Sequence, residues 1–124
     1  MKQIGMIGAG NMGSAILRGI VDANYVKSSQ LTVFDVSKRK MREISEDIPG
    51  IHEARDCLEV AEASDMIILA VKPLYYNEVI SEIRSGLRGK AVISIAAAGN
   101  FFPGWTMKKI RIRDDLHAVI FLGD

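Results

Sequence analysis

The stretch Ile7-Gly8-Ala9-Gly10-Asn11-Met12-Gly13 decides the fold of this chain. Its glycines have the spacing G-x-G-x-x-G. An apolar run at residues 3–7 precedes them and predicts a buried strand, and Asn11–Asp22 follows with apolar residues at helical spacing. A glycine-rich turn that leads from a strand into a helix is typical of the first part of a βαβ unit.

Each of the three glycines has its own physical reason. Gly8 permits a tight turn, Gly10 lets the backbone approach a pyrophosphate, and Gly13 lets the helix pack close to the strand. The free N–H groups and the positive dipole end at the helix start favour phosphate. The motif therefore indicates a dinucleotide-binding site, and the alternative is a glycine-rich turn that binds nothing.

Apolar runs and helical patterns continue to alternate as far as about residue 98. They predict strands at residues 31–34, 51–54, 66–71 and 91–95. The predicted helices start after caps at Ser37 and Asp56 and at Pro73, and they end near residues 47, 63 and 85. This alternation favours an α/β fold, a Rossmann-type doubly wound, mostly parallel sheet with helices on both faces, as one domain over residues 1–98.

Asp35 ends the second predicted strand, 22 residues after Gly13. A carboxylate there can accept hydrogen bonds from a ribose 2′-hydroxyl, which favours NAD. Ser37, Lys38 and Arg39 follow, and a hydroxyl with two cations could hold a 2′-phosphate, which favours NADP. The alternative is that Ser37 only caps the helix and the cations face solvent. The sequence leaves both cofactors open.

Ala70-Val71-Lys72-Pro73 closes the fourth predicted strand. Ligands of doubly wound sheets lie outside the carboxyl ends of the strands, so this segment is expected to line a crevice. A plain strand-to-helix turn with an exposed lysine is the alternative.

Composition limits the classes of partner that we expect this chain to bind. The 124 residues include 16 basic and 15 acidic side chains, and the net charge of +1 provides no field that would attract nucleic acid or anionic lipid. No apolar run approaches the roughly 20 residues of a membrane helix. The single cysteine, Cys57, fits a reducing compartment, and the two histidines lack nearby ligand partners. We therefore expect a cytoplasmic protein with a small-molecule substrate, without metal, nucleic acid or membrane.

Residues 99–124 depart from this pattern. Residues 109–113 alternate charged and apolar side chains, and Asp114-Asp115 could turn the chain into the apolar residues 116–122. This predicts a small hairpin in a divergent or truncated tail.

Three segments, IGMIGAGNMGSAILRGI, DMIILAVKP and VISIAAAG, together resemble the N-terminal half of the pyrroline-5-carboxylate reductase family over roughly residues 2–98. The resemblance implies hydride transfer from NADPH or NADH to the imine of 1-pyrroline-5-carboxylate, giving L-proline. It places Gly8 to Gly13 (Gly8, Ala9, Gly10, Asn11, Met12, Gly13) at the pyrophosphate, and Asp35, Ser37, Lys38 and Arg39 at the adenosine ribose. It also places Ala70, Val71, Lys72 and Pro73 in the cofactor cleft, and Ala96 and Ala97 near the nicotinamide.

The chain departs from that family at two places. Asp56-Cys57-Leu58 stands where the family usually carries an asparagine, and the tail does not match the family's Met-Pro-Asn-Thr-Pro segment. We expect the family's C-terminal helical domain, which forms the dimer and holds the substrate, to be absent. The catalytic acid is then unassigned, a homo-oligomer stays open, and the chain alone is expected to be inactive. Alternatives are a stand-alone NAD(P)-binding regulatory module and another imine or keto reductase with a similar first domain.

Overall fold

Strands and helices alternate in the computed structural model, which describes residues 2–95, 104, 106–113 and 116–122. The strands are β1 (Ile4–Ile7), β2 (Leu31–Phe34), β3 (His52–Glu53), β4 (Met66–Leu69), β5 (Ala91–Ser94), β6 (Thr106–Arg113) and β7 (Leu116–Leu122). The α-helices are α1 (Asn11–Asp22), α2 (Lys38–Asp47), α3 (Cys57–Ala63) and α4 (Tyr76–Ile83).

These strands form one sheet in the order β3-β2-β1-β4-β5-β7-β6. The pairs among β1 to β5 are all parallel, whereas β7 runs antiparallel to both β5 and β6. The mostly parallel, doubly wound sheet predicted from the sequence is confirmed.

The carboxyl ends of four strands lie in one row. Ile7 is in register with Phe34 on one side and with Leu69 on the other, and Leu69 is in register with Ser94. The chain proceeds from β1 outward to β2 and β3, and then resumes on the opposite side of β1 with β4. Ligands of doubly wound folds bind in the crevice at such a reversal. Because the strand ends are in register, the segments after β1, β2 and β4 begin beside this crevice.

Apolar side chains cover both faces of the sheet, and each face has its own pair of helices. On one face, α1 and α2 contribute Leu17, Met41 and Ile44. On the other face, α3 and α4 contribute residues such as Val60 and Ile83. Adjacent residues of a strand point to opposite faces, and burial on both faces explains why the parallel strands are continuous apolar runs.

Local signals set the helix starts as predicted, with some differences inside the helices. The Ser37 Oγ accepts from the Lys40 N–H at 3.3 Å, and an Asp56 carboxylate oxygen accepts from the Glu59 N–H at 2.8 Å. In α1 the fully buried side chain is Leu17, whereas Met12 is half exposed. The helix predicted from Pro73 begins and ends in short 3-10 turns, a frequent arrangement at helix ends.

The hairpin of β6 and β7 continues the same sheet. Val92 of β5 is in register with Phe121 of β7, and Phe121 is only 1% exposed. Val119 and Phe121 lie two residues apart on β7 and extend the apolar face covered by α3 and α4. The tail therefore joins the sheet of residues 4–94 through an antiparallel edge, rather than standing apart from it.

Candidate cofactor-binding site

The glycine-rich turn crosses the reversal point between β1 and β4. Gly8 has a φ of +103°, and a Cβ there would lie 2.6 Å from the Ala70 carbonyl oxygen. A Cβ at Gly13 would lie 2.6 Å from the Gly8 carbonyl oxygen. Both distances are too short for a side chain, so the first and third glycines are needed for the turn and for the close approach of α1.

Gly10 differs from these two glycines because a Cβ there would meet no described atom within 4 Å. It is the N-cap residue of α1, and it has no side chain that could accept from the N–H groups of the first turn. Those N–H groups have no partner inside the helix and are available to an anion. The space beside Gly10 is therefore open on the side where a pyrophosphate would approach.

Asp35 ties the glycine-rich turn to the start of α2. One carboxylate oxygen accepts from the Ala9 N–H at 2.7 Å, and the other accepts from the Ser37 N–H at 2.8 Å. The Gly8 N–H donates to the Phe34 carbonyl oxygen at 2.8 Å beside these bonds. Both oxygens of the carboxylate that sequence reasoning assigned to a ribose are thus bonded to backbone.

A cavity of about 410 Å³ opens between the glycine-rich turn and α2. Ala9, Gly10, Asn11, Ser14, Arg18, Arg39, Lys40, Glu43, Ile44 and Asp47 line it. The sequence prediction included four of these residues, Ala9, Gly10, Asn11 and Arg39. The prediction omitted Lys40. Lys40 and the buried Ile44 are four residues apart and therefore lie on one face of the helix, and this spacing could have identified Lys40.

The charges in this cavity are partly paired. Arg18 contacts Asp47 at 2.8 Å, and Arg39 contacts Glu43 at 3.0 Å. Within the part of the chain that the structure describes, Lys40 has no carboxylate within salt-bridge distance. Exposed ion pairs contribute little to stability, so Arg39 can leave Glu43 for a stronger anion at small cost. Lys38 precedes these cations but does not line the cavity.

The segment after β4 lies beside the glycine-rich turn. The Ala70 N–H donates to the Ile7 carbonyl oxygen at 2.8 Å, which holds this segment against β1. Val71 is partly buried, Lys72 is exposed, and Pro73 opens a 3-10 turn. Ala96 and Ala97, the residues predicted near the nicotinamide, lie outside the described residues.

The surroundings of Cys57 disfavour its thiolate form. The residue is buried at the start of α3, where burial, the charge and hydrogen bond of Glu82, and the charges of Asp56 and Glu78 raise the pKa of its thiol from 9.0 to about 12. The protonated thiol is a poor nucleophile. Among the described residues, no three His, Cys, Asp or Glu side chains are grouped so that they could hold a metal ion.

Comparison with known proteins identifies the family. Residues 3–98 match the family described as NADP oxidoreductase, coenzyme F420-dependent. The chain belongs to this family. The matched residues of this family member include the glycine-rich turn, Asp35 and the cations of α2.

Curated relatives narrow the assignment. The chain is 42% identical over 97 residues to pyrroline-5-carboxylate reductase of Escherichia coli, and 36% identical over 97 residues to that of Methanosarcina acetivorans. In both cases the match covers 77% of this chain and 36% of the relative. The chain thus corresponds to the N-terminal NAD(P)-binding domain of the pyrroline-5-carboxylate reductases, and it spans about a third of their length.

Solved structures show the same fold. Pyrroline carboxylate reductase of Plasmodium falciparum with NADP bound is 23% identical, with a TM-score of 0.61 over 77% of this chain and 42% of that one. The V8 variant of a Myxococcus stipitatus imine reductase in complex with NAD+ is 19% identical, with a TM-score of 0.63 over 84% and 44%. A Sulfolobus solfataricus chain described as a type 11 methyltransferase is 17% identical, with a TM-score of 0.71 over 98% and 83%. At these identities the likeness concerns the fold alone.

Each helix among the described residues falls short of the length and apolar character that a membrane span requires.

Proposed function

We propose that this chain binds NADPH or NADH as the cofactor-binding part of a reductase that converts 1-pyrroline-5-carboxylate into L-proline. The observation that carries the proposal is the glycine-rich turn, with open space at Gly10 and close backbone packing at Gly8 and Gly13. The identity to pyrroline-5-carboxylate reductases over 97 residues supports the choice of substrate.

The residues of the turn have the chemistry that a dinucleotide needs. The N–H groups at the start of α1 would bind the pyrophosphate, and the segment from Ala70 to Pro73 would line the cleft. When bound, NAD(P)H supplies a hydride that forms a C–H bond at the imine carbon. The imine nitrogen would take up a proton as its C=N bond becomes a single bond, and the cofactor would leave as NAD(P)+.

NADPH is the favoured cofactor in this proposal. Arg39 and Lys40 line the cavity beside Ala9 and Gly10, and a 2′-phosphate there would meet two cations. The Asp35 carboxylate is bonded to two backbone N–H groups, so its position is set by the turn and by the start of α2.

Titration with NADPH and NADH tests the proposal. Wild type is expected to bind, and Gly10→Asp is expected to abolish binding because a carboxylate would stand where the pyrophosphate approaches. Gly19→Asp is the matched control, because Gly19 lies in the helix that follows Gly10 and a Cβ there also meets no described atom within 4 Å. Equal affinity in wild type and Gly10→Asp would mean that the cofactor does not bind at this turn.

A self-contained NAD(P)-binding module is the second candidate function. The antiparallel β7 pairs with β5, and Phe121 is buried against the sheet, so this edge of the sheet is covered within the chain. Capture of a specific protein partner whose affinity changes with bound cofactor would favour this candidate over the reductase.

A further inference from the structure

A buried phenol joins the ends of two neighbouring strands. Tyr76 is the first residue of α4 and is 0% exposed. Its hydroxyl donates to the carbonyl oxygen of Leu69, the last residue of β4, at 3.3 Å. The same hydroxyl lies 2.9 Å from the Oγ of Ser94, the last residue of β5. One side chain therefore contacts both strand ends.

The Tyr76 hydroxyl has a different role in each of its two contacts. A tyrosine hydroxyl has one proton, so while it donates to Leu69 it accepts from the Ser94 hydroxyl. The Leu69 carbonyl oxygen also accepts from the Ile95 N–H at 3.4 Å. A phenylalanine would fill the same apolar surroundings, whereas buried hydroxyls are costly unless they are bonded. The hydroxyl pair thus connects the two strand ends in addition to filling space.

The position of the pair matters for a dinucleotide. A doubly wound sheet binds one half of the dinucleotide over each of its two halves, across the crevice at the reversal point. The Asp35 half consists of β1, β2 and β3, and the Tyr76 half includes β4 and β5. The cofactor-lining segment that begins at Ala70 follows Leu69 directly.

We propose that Tyr76 and Ser94 form a positioning pair that fixes the ends of β4 and β5 for the nicotinamide half of the dinucleotide. Neither residue touches a reacting atom in this proposal, which rests on the proposed function. The pair acts by holding Leu69 and Ser94, the last residues of these strands, in one arrangement before the cofactor arrives. This preorganisation reduces the ordering cost of binding at that half of the site only.

Affinities for NADPH and for 2′,5′-ADP, which lacks the nicotinamide half, test the proposal on the whole chain. Tyr76→Phe and Ser94→Ala are each expected to weaken NADPH binding about three- to tenfold and to leave 2′,5′-ADP binding within about twofold. The double variant is expected to lose about as much as Tyr76→Phe alone, because that variant already removes the contacts of the phenol with both Leu69 and Ser94. Tyr75→Phe is the matched control, since the Tyr75 side chain is 48% exposed, and it is expected to change neither affinity.

A merely structural role would not separate the two ligands. Equal changes for NADPH and 2′,5′-ADP, or no change for either, would overturn the inference while wild-type binding leaves the proposed function standing. If wild type binds neither ligand, the proposed function fails, and this inference fails with it.

Discussion

The Asp35 carboxylate accepts a hydrogen bond from the Ala9 N–H at 2.7 Å and thereby connects the end of β2 to the glycine-rich turn. Its other oxygen accepts from the Ser37 N–H at 2.8 Å. Charge-assisted bonds of this kind are about twice as strong as neutral ones. Asp35 therefore holds the turn and the start of α2 in one arrangement, whatever nucleotide binds beside them.

Asp35→Asn tests this role. The amide nitrogen of asparagine cannot accept, so the variant loses a bond to the Ala9 or the Ser37 N–H, and the free energy of unfolding is expected to fall by about 1–3 kcal/mol. Affinities for NADH and NADPH are expected to fall by similar factors, because the whole turn loses its support. Urea denaturation and parallel cofactor titrations measure both effects, and Asp22→Asn at the exposed end of α1 is the control.

A different effect on NADH and NADPH would support the interpretation drawn from the sequence, in which Asp35 binds the ribose. If Asp35 mainly reads the ribose 2′-hydroxyl, Asp35→Asn weakens NADH alone and improves NADPH, since it removes a negative charge near the 2′-phosphate.

Gly13→Ala and Gly19→Ala form a matched pair within α1. A Cβ at Gly13 would lie 2.6 Å from the Gly8 carbonyl oxygen, so the helix must move away from the strand, at a cost of about 1–3 kcal/mol in the free energy of unfolding. A Cβ at Gly19 meets no described atom within 4 Å, and alanine there is expected to add up to about 1 kcal/mol through helix propensity. Urea denaturation measures both, and a stabilising Gly13→Ala would contradict the close packing.

The proposed preference for NADPH rests on Arg39 and Lys40, which line the cavity. Replacing either with glutamine is expected to weaken NADPH binding about tenfold and to leave NADH binding within about twofold, because only NADPH carries the 2′-phosphate. Arg42→Gln is the control, since Arg42 lies in the same helix, is exposed and does not line the cavity. Titration of NADH and NADPH with the glutamine variants of Arg39, Lys40 and Arg42 measures these changes in affinity. Equal losses for NADH and NADPH would place these cations at the pyrophosphate instead.

The buried thiol of Cys57 makes stability depend on alkaline pH. The pKa of this thiol is about 12 in the folded chain, and its ordinary value is 9.0. Between these values the folded state binds more protons than the unfolded state, so stability falls as pH rises, by about 1.4 kcal/mol per pH unit. Below pH 9 both states keep the proton, and this contribution stays constant.

Denaturation of wild type and Cys57→Ala at several pH values between 8 and 11 measures this contribution. The difference between the two proteins isolates the thiol, because other alkaline titrations are common to both. The variant is expected to lose stability less steeply above pH 9. Parallel curves would mean that the thiol ionises equally in both states.

The sequence predicted most of the parallel sheet because its signals are local. An apolar run of strand length, an Asx or serine cap and a glycine turn each act within a few residues, and Ser37 and Asp56 cap the helices as expected. The glycine spacing also predicted the tight turn after β1, since Gly8 and Gly13 meet backbone constraints that a side chain would violate.

The candidate site was predicted less completely because its other contacts are distant in sequence. Asp35 lies beside Ala9 only when β1 and β2 pair, and Lys40 enters the cavity only when α2 packs beside the glycine-rich turn. The roles of the site residues as cofactor ligands stay predictions. The sequence by itself determined which segments become strands and helices and that a dinucleotide-type turn begins the sheet. Only the tertiary structure decided that Tyr76 joins β4 to β5, that Asp35 bonds backbone on two segments, and that the tail pairs antiparallel with β5, because each of these depends on contacts between segments that local residue patterns do not specify.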